Sequence, residues 1–472
     1  MSDPIDPGAP TTPHPDGFLS QRVLWAYSLP MVGVGFLGML QSVYLMKFST
    51  DVLLVGPAAM GAVFMVGRIW DAVSDPVVGY ASDRSRARLG RRRSWMLASA
   101  LPLLVATLFL WSPPQLGGLT IAVWVGAALI LYETASTAFL VPWGALGMEL
   151  TQNYHERTRL FGYRHVLAAL GSGLGLAGVW WIRTSDAPRS AAFTLAAIGG
   201  TVTAAFIAYA ALRLEERPEY QGRGAIDIRS AFADVFRNPH ARLLLFVYGV
   251  ETFGTAAIGM LAPYVMEYVV ELPDYTELFI AVYFVPQFAL TPLWIRLTRR
   301  FGKKPLWLAS MSLMTVAYTG MFWIDVGGVT LLWILPLLLG IGGGCGAVVA
   351  PSIQADVIDW DELATGERKE GAYLAVWNLV RKGAAAITPF LAGLALSVTG
   401  YVPNEPQSET TQQVMLALLG LLPGVSYAIG TLFFLRFRLN EPEHAAVLLA
   451  LKERGAAARS SEELEPGPGA DD

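Results

Sequence analysis

The feature that most constrains this chain is a succession of about twelve apolar runs, each long enough to cross a bilayer as a helix. A hydrocarbon core of about 30 Å takes about 20 helical residues, and no water is present there to satisfy free backbone groups. The runs lie near 23–48, 56–82, 94–113, 117–150, 162–183, 190–213, 241–270, 274–298, 304–325, 328–355, 370–400 and 412–437. They predict an all-α membrane protein with twelve transmembrane helices in two six-helix bundles. Of 472 residues, 54% are hydrophobic and only 15% charged, against about 25% charged in soluble domains. A net charge of -4 suggests neither a nucleic-acid surface nor a trap for acidic substrates.

Basic residues set the expected orientation, because loops rich in Lys and Arg resist translocation. Alternate loops carry Arg84 to Arg93, Arg157 and Arg159, Arg213 to Arg229, Arg296 to Lys304, and Arg368 with Lys369. The opposite set, Trp111 to Gly118, Glu271 to Thr276, Asp325 to Gly328 and Tyr401 to Gln412, is almost free of them. Both termini are therefore expected in the cytoplasm of a cell whose inner (plasma) membrane the chain crosses many times. The segment Met1 to Gln21 is Pro-rich and polar without a cleavage signal, so the first helix is expected to direct insertion.

The expected organisation is a cytoplasmic N-terminal tail (1–22), a first six-helix bundle (23–214), a linker (215–240), a second bundle (241–438) and a C-terminal tail (439–472), partly disordered. The loop Asp83 to Arg92, with Leu89, Gly90, Arg91 and Arg92, is echoed by Arg296 to Lys304, with Phe301, Gly302, Lys303 and Lys304. Each follows the second helix of its half, as expected of a duplication.

The second run contains Arg68, Asp71, Ser74, Asp75 and Pro76. An Asp in mid-membrane costs about 3 kcal/mol on insertion scales, so two of them imply an inward orientation and a partner. Asp71 and Asp75 stand at i and i+4 with Ser74 at i+3, on one helical face. Three oxygen-bearing side chains converge, a set that suits a hard cation or a shared proton. The competing reading is an aspartate paired to a neighbour such as Arg68 that only stiffens the bundle.

The stretch RIWDAVSDPVVGYASDRSRARLGRRRSWML resembles the hallmark of the glycoside-pentoside-hexuronide:cation symporter family of the major facilitator superfamily, typified by the melibiose permease. YLMKFSTDV (Tyr44 to Val52), STAFLVPWGAL (Ser136 to Leu146), ADVIDWDELATGERKEG (Ala355 to Gly371) and LVRKG (Leu379 to Gly383) extend the likeness over nearly the whole membrane region. The resemblance implies a major facilitator fold and alternating access, with Asp71, Ser74, Asp75 and Thr137 as ligands of a monovalent cation. It places Arg164 and Lys382 in the central cavity and Trp377 and Asn378 near substrate. It implies no cofactor, a coupling ion of Na+, Li+ or H+, and a small-molecule solute as partner of a monomeric, lipid-embedded chain that is not an enzyme.

Departures from that pattern open the substrate class. Where the permease grips sugar hydroxyls with acids, this chain has Gly35 and Leu140, and Gly144 replaces a tryptophan, with Trp143 one place earlier. A sugar, glycoside or uronide is the default solute; an amphipath such as a lysolipid, or a non-transporting sensor, is the alternative. Glu133, one turn before Thr137, and Glu251 are further candidates for the solute site, against the reading that they only bond across helices.

Other signals are read as structural. Gly33, Gly35, Gly38 and Gly173, Gly175, Gly178 both fit G-x-G-x-x-G, but neither follows a strand, so they serve close helix approach. The five histidines lack zinc spacing, and the single Cys345 packs in a glycine-rich run. Pro142 and Pro286 are expected to kink their helices.

Overall fold

The structure, a computed structural model, describes residues 18–115, 117–150, 154–216, 235–324, 328–366 and 370–464. Most of the expected N-terminal tail and linker, and the end of the C-terminal tail, lie outside the described residues, as do Arg368 and Lys369.

All regular structure among the described residues is helical. The helices are α1 (Gln21–Val52), α2 (Pro57–Arg84), α3 (Arg91–Trp111), α4 (Gly118–Glu149), α5 (Tyr154–Thr184), α6 (Pro188–Arg213) and α7 (Pro239–Tyr268). They continue as α8 (Thr276–Ala289), α9 (Thr291–Phe301), α10 (Lys303–Gly320), α11 (Gly328–Thr365), α12 (Glu370–Val398), α13 (Glu409–Phe434) and α14 (Glu441–Leu464). Among the described residues nine helices are long and apolar enough to cross a membrane, ten if α8 and α9 count as one bent span. The helices α2 and α10 match the expected second and ninth runs but fall outside that count. Charge explains α2, which carries Arg68, Asp71, Asp75, Asp83 and Arg84.

The 44° bend between α8 and α9 falls beside Pro292, which lacks the amide that would continue the helix and crowds the preceding turn. The sequence places a kink at Pro286; that proline sits inside α8, four residues before the break. Pro142 is likewise inside the continuous α4. At the C-terminus, α14 forms over the described part of the expected tail. Glu441 and Glu443 stand in its first turn, where a carboxylate favours the helix dipole, and His444 Nε2 lies 3.0 Å from Asp359 Oδ2.

Two compact units are present. The first draws its described residues from Met1–Ala225, Ala257–Glu277 and Ala386–Met415; the second from Ile226–Ala256, Leu278–Ala385 and Leu416–Asp472. In the first, the glycines of α1 and α5 bring two backbones together. A Cβ on Gly175 would stand 2.6 Å from the Phe36 carbonyl oxygen, and one on Gly35 would collide with the Ala168 carbonyl, so close approach is their role. In the second, Trp307, Cys345, Tyr373, Trp377, Phe434 and Phe437 share one buried core.

The repeated loop motif recurs as structure. Gly90 and Gly302 both take positive φ, at 117° and 79°, a region open to glycine at little cost. Each opens a helix whose first basic residue pairs with an acid of the next long helix in its own unit: Arg91 with Glu149 of α4 at 2.8 Å, and Lys303 with Asp356 of α11 at 2.7 Å. In the first unit Arg92 also meets Asp83 at 3.2 Å. The Glu216 carboxylate accepts from the amides of Arg91, Arg92 and Arg93 at 3.0, 2.8 and 2.8 Å, satisfying the free N-terminal amides of α3.

Candidate functional site

The i, i+4 spacing on α2 turns both aspartates toward α4. Thr137 Oγ1 lies 3.2 Å from Asp71 Oδ1 and 3.1 Å from Asp75 Oδ1. Asp71, Ser74 and Thr137 are only 8%, 7% and 3% exposed, while Asp75 is half-buried. Ser74 Oγ donates to the Asp71 carbonyl at 3.3 Å. One threonine hydrogen thus has two carboxylate acceptors within reach, in a buried pocket of oxygens. Two carboxylates that share one hydroxyl repel each other, and a hard cation or a shared proton is the chemistry that such a set of oxygens suits.

One turn earlier on α4, Glu133 is buried and accepts from Gln41 Nε2 of α1 at 2.7 Å. Trp70 of α2 donates to Thr134 Oγ1 at 2.8 Å, fixing the α2–α4 register beside the aspartates. Trp143 is 1% exposed. It stacks on Tyr27 with centroids 4.5 Å apart and donates its indole N–H to the Tyr27 carbonyl at 3.0 Å, which leaves no polar atom of Trp143 for a solute. Arg164 covers that ring, its guanidinium 4.7 Å from the centroid, so Trp143 holds the guanidinium by a cation–π contact.

The structural reason for the missing acid at position 35 is now visible. The α5 backbone closes that position, whereas a Cβ on Gly144 would meet nothing within 4 Å.

The remaining candidates lie in the second unit. Trp377 is buried against Tyr373, its indole N–H without a hydrogen-bond partner among the described residues; Asn378 is exposed and Lys382 half-buried. Glu251 of α7 is 7% exposed and lines a cavity.

Sequence reasoning missed a cluster in the first unit. Lys47, 3% exposed, ion-pairs with Asp51 one turn later and with Glu267 Oε2 at 2.9 Å. Tyr268 and Tyr401 donate to Asp51 at 2.9 and 2.6 Å, and the Asn404 side-chain amide donates to the Asp51 carbonyl at 2.9 Å. Lys47 also stands 4.5 Å from the Tyr268 ring centroid. The end of α1, the end of α7 and the loop after α12 are therefore tied together by buried charge. The signal was an i, i+4 pair of opposite charges inside an apolar run.

A multi-pass membrane architecture, all-helical among the described residues, with two aspartates facing one threonine across two spans, defines the class, a membrane transporter. The chain belongs to the family described as MFS/sugar transport protein, which it matches over residues 26–441; it is a family of transporters, not enzymes, and the one to which the motifs pointed. It is 25% identical to the glucuronide carrier protein homolog of Escherichia coli, covering 86% of this chain and 90% of that protein. Against the isoprimeverose transporter of Lactiplantibacillus pentosus it is also 25% identical, over 89% of each. Among solved structures, a D-xylose-proton symporter superposes with a TM-score of 0.63 at 15% identity, covering 88% of this chain and 97% of that one. The nucleoside transporter NupG gives 0.65 at 12% identity, covering 89% and 100%. These two likenesses show the fold.

Proposed function

We propose that this chain is a cation-coupled symporter that moves a sugar, glycoside or uronide across the inner membrane by alternating access. It works as a monomer with twelve spans and both termini in the cytoplasm. Na+, Li+ or H+ binds at Asp71, Ser74, Asp75 and Thr137. Arg164, resting on Trp143, and Lys382, with Trp377, Asn378, Glu133 and Glu251, serve the solute.

The observation that carries this reading is the single Thr137 hydroxyl within 3.2 Å of both aspartates. Relatives named for a glucuronide and for isoprimeverose support the solute class. A bound cation lowers the repulsion between the aspartates and so favours conformations in which α2 and α4 stay together. Coupling follows if the solute favours the same conformations, because a ligand shifts an equilibrium only by differential affinity. The Lys47–Asp51–Glu267 cluster supports the reading: it ties the ends of α1 and α7 on the side expected to face away from the cytoplasm, a link that alternating access would have to break.

The test is uptake into proteoliposomes under an inward Na+ or H+ gradient, with glycosides, uronides and lysolipids offered in parallel. Ion-driven uptake of a glycoside or uronide is expected. Stimulation only by lysolipids would move the chain to the amphipath class, and no ion-dependent flux of any solute would make it a sensor.

A further inference from the structure

Within the second unit, α14 is seated by one of its sides. His444, Val447, Leu451 and Arg454 recur at steps of three and four residues, one stripe of a helix, and that stripe meets α11. His444 Nε2 lies 3.0 Å from Asp359 Oδ2 and 3.6 Å from Asp356 Oδ1. Val447 is buried in the core that holds Val357 and Ile358, and Leu451 packs against it. Arg454 donates to the Leu363 carbonyl at 3.4 Å, in the last turn of α11, where carbonyls lack an intrahelical donor.

On its other side α14 borders a cleft of about 850 Å³. Glu441, Ala445 and Leu448 line one wall, and Phe301, Lys303 and Leu308 of α9 and α10 the other. Leu448 and Leu449 are exposed. The attachment of α14 therefore rests on the α11 stripe, and its polar centre is His444.

Asp356 is held at the same time by Lys303, whose Nζ lies 2.7 Å from each carboxylate oxygen. Thus α14 and the loop that opens α10 share one acid. The charged groups around the ring are Asp356 and Asp359 of α11, Lys303 and Lys304 of α10, and Glu441 and Glu443 of α14 itself. Among the described residues that line the cleft, α9 brings Thr298 and Phe301 and no charge. A neutral imidazole gives Asp359 one hydrogen bond, whereas an imidazolium adds a charge that attracts both aspartates. Histidine is the side chain that changes charge within the physiological pH range.

We propose that α14 is a pH-sensitive clamp on this end of the second unit, seated on α11 while His444 is protonated and loosened once it is not. The positive ring gains two acids on docking, so docking is tightest at low pH and weakens as the pH rises and the proton leaves. Because Asp356 serves His444 and Lys303 together, loosening α14 also changes the charge that holds the start of α10. The clamp is independent of the ion and the solute: it sits at the end expected in the cytoplasm.

The experiment uses the full chain in lipid nanodiscs, with hydrogen exchange of the α14 amides followed at about pH 6 and about pH 8 and corrected for the pH dependence of exchange itself. Protection is expected to fall about tenfold from the lower pH to the higher, the difference between a charged and a neutral hydrogen bond. His444→Gln keeps a donor without the charge, so its α14 should show the low protection at both values. His444→Arg keeps the charge at both and should stay protected at both. Asp359→Asn, which leaves the Lys303–Asp356 pair intact, should shrink the step. Melting of each purified variant checks that it is folded. Equal α14 protection of the wild-type chain at the two pH values overturns the clamp, as does a step of wild-type size in folded His444→Gln.

Discussion

Thr137 Oγ1 lies 3.1 Å from Asp75 Oδ1, which makes a hydroxyl of α4 part of a carboxylate site that the sequence displays only on α2. Thr137→Val keeps the shape and removes the oxygen. It should weaken activation of uptake by Na+ about tenfold, the worth of roughly one charge-assisted ligand contact, while Thr137→Ser should restore most of it. Uptake kinetics against Na+ concentration check both.

Lys47 offers a test of the link between the ends of α1 and α7. The Asp51 side chain is buried with Lys47 while Glu267 keeps 29% exposure, so Lys47→Met strands Asp51 in a low-dielectric site. Breaking a buried pair from one side costs about 3–5 kcal/mol, which should appear as a marked fall in the melting temperature of the purified chain. Adding Asp51→Asn should recover part of the loss, because the two changes touch the same interaction and cannot add independently. Additive losses in the double variant would show that Lys47 and Asp51 are not coupled.

Position 35 and position 144 should respond in opposite ways to restoring the family's residues. Gly35→Asp forces a side chain into the α5 backbone beside Ala168; overpacking alone costs about 1–3 kcal/mol, and a buried charge adds to it. Gly144→Trp faces open space and should fold as well as wild type. Expression and melting of the two variants decide this, and a stable Gly35→Asp chain would contradict the packing of α1 on α5.

How much of this was legible beforehand depended on whether the signal was local. Asp71, Ser74 and Asp75 were readable because a helical repeat alone puts them on one face. Thr137 was not, since nothing in its spacing links α4 to α2, and only family resemblance brought it in. Gly35 read as a membrane-span glycine, and so it is; but the reason no acid stands there is the Ala168 carbonyl, a tertiary fact. Lys47 and Asp51 could have been found as an i, i+4 ion pair in an apolar run, yet Glu267, Tyr268 and Tyr401 join them from more than 200 residues away. The break near Leu290 was assigned to Pro286 because both prolines lie in one run, and only the backbone shows that Pro292 flanks it.

The most direct measurement is Na+ binding by isothermal titration to purified wild-type chain and to Asp75→Asn, with melting curves run in parallel. The account predicts saturable binding to wild type that disappears in the variant, while the variant melts within a few degrees of wild type and no longer gains stability from NaCl. Equal Na+ binding by the two proteins, or a variant that still couples uptake to the gradient, would contradict it.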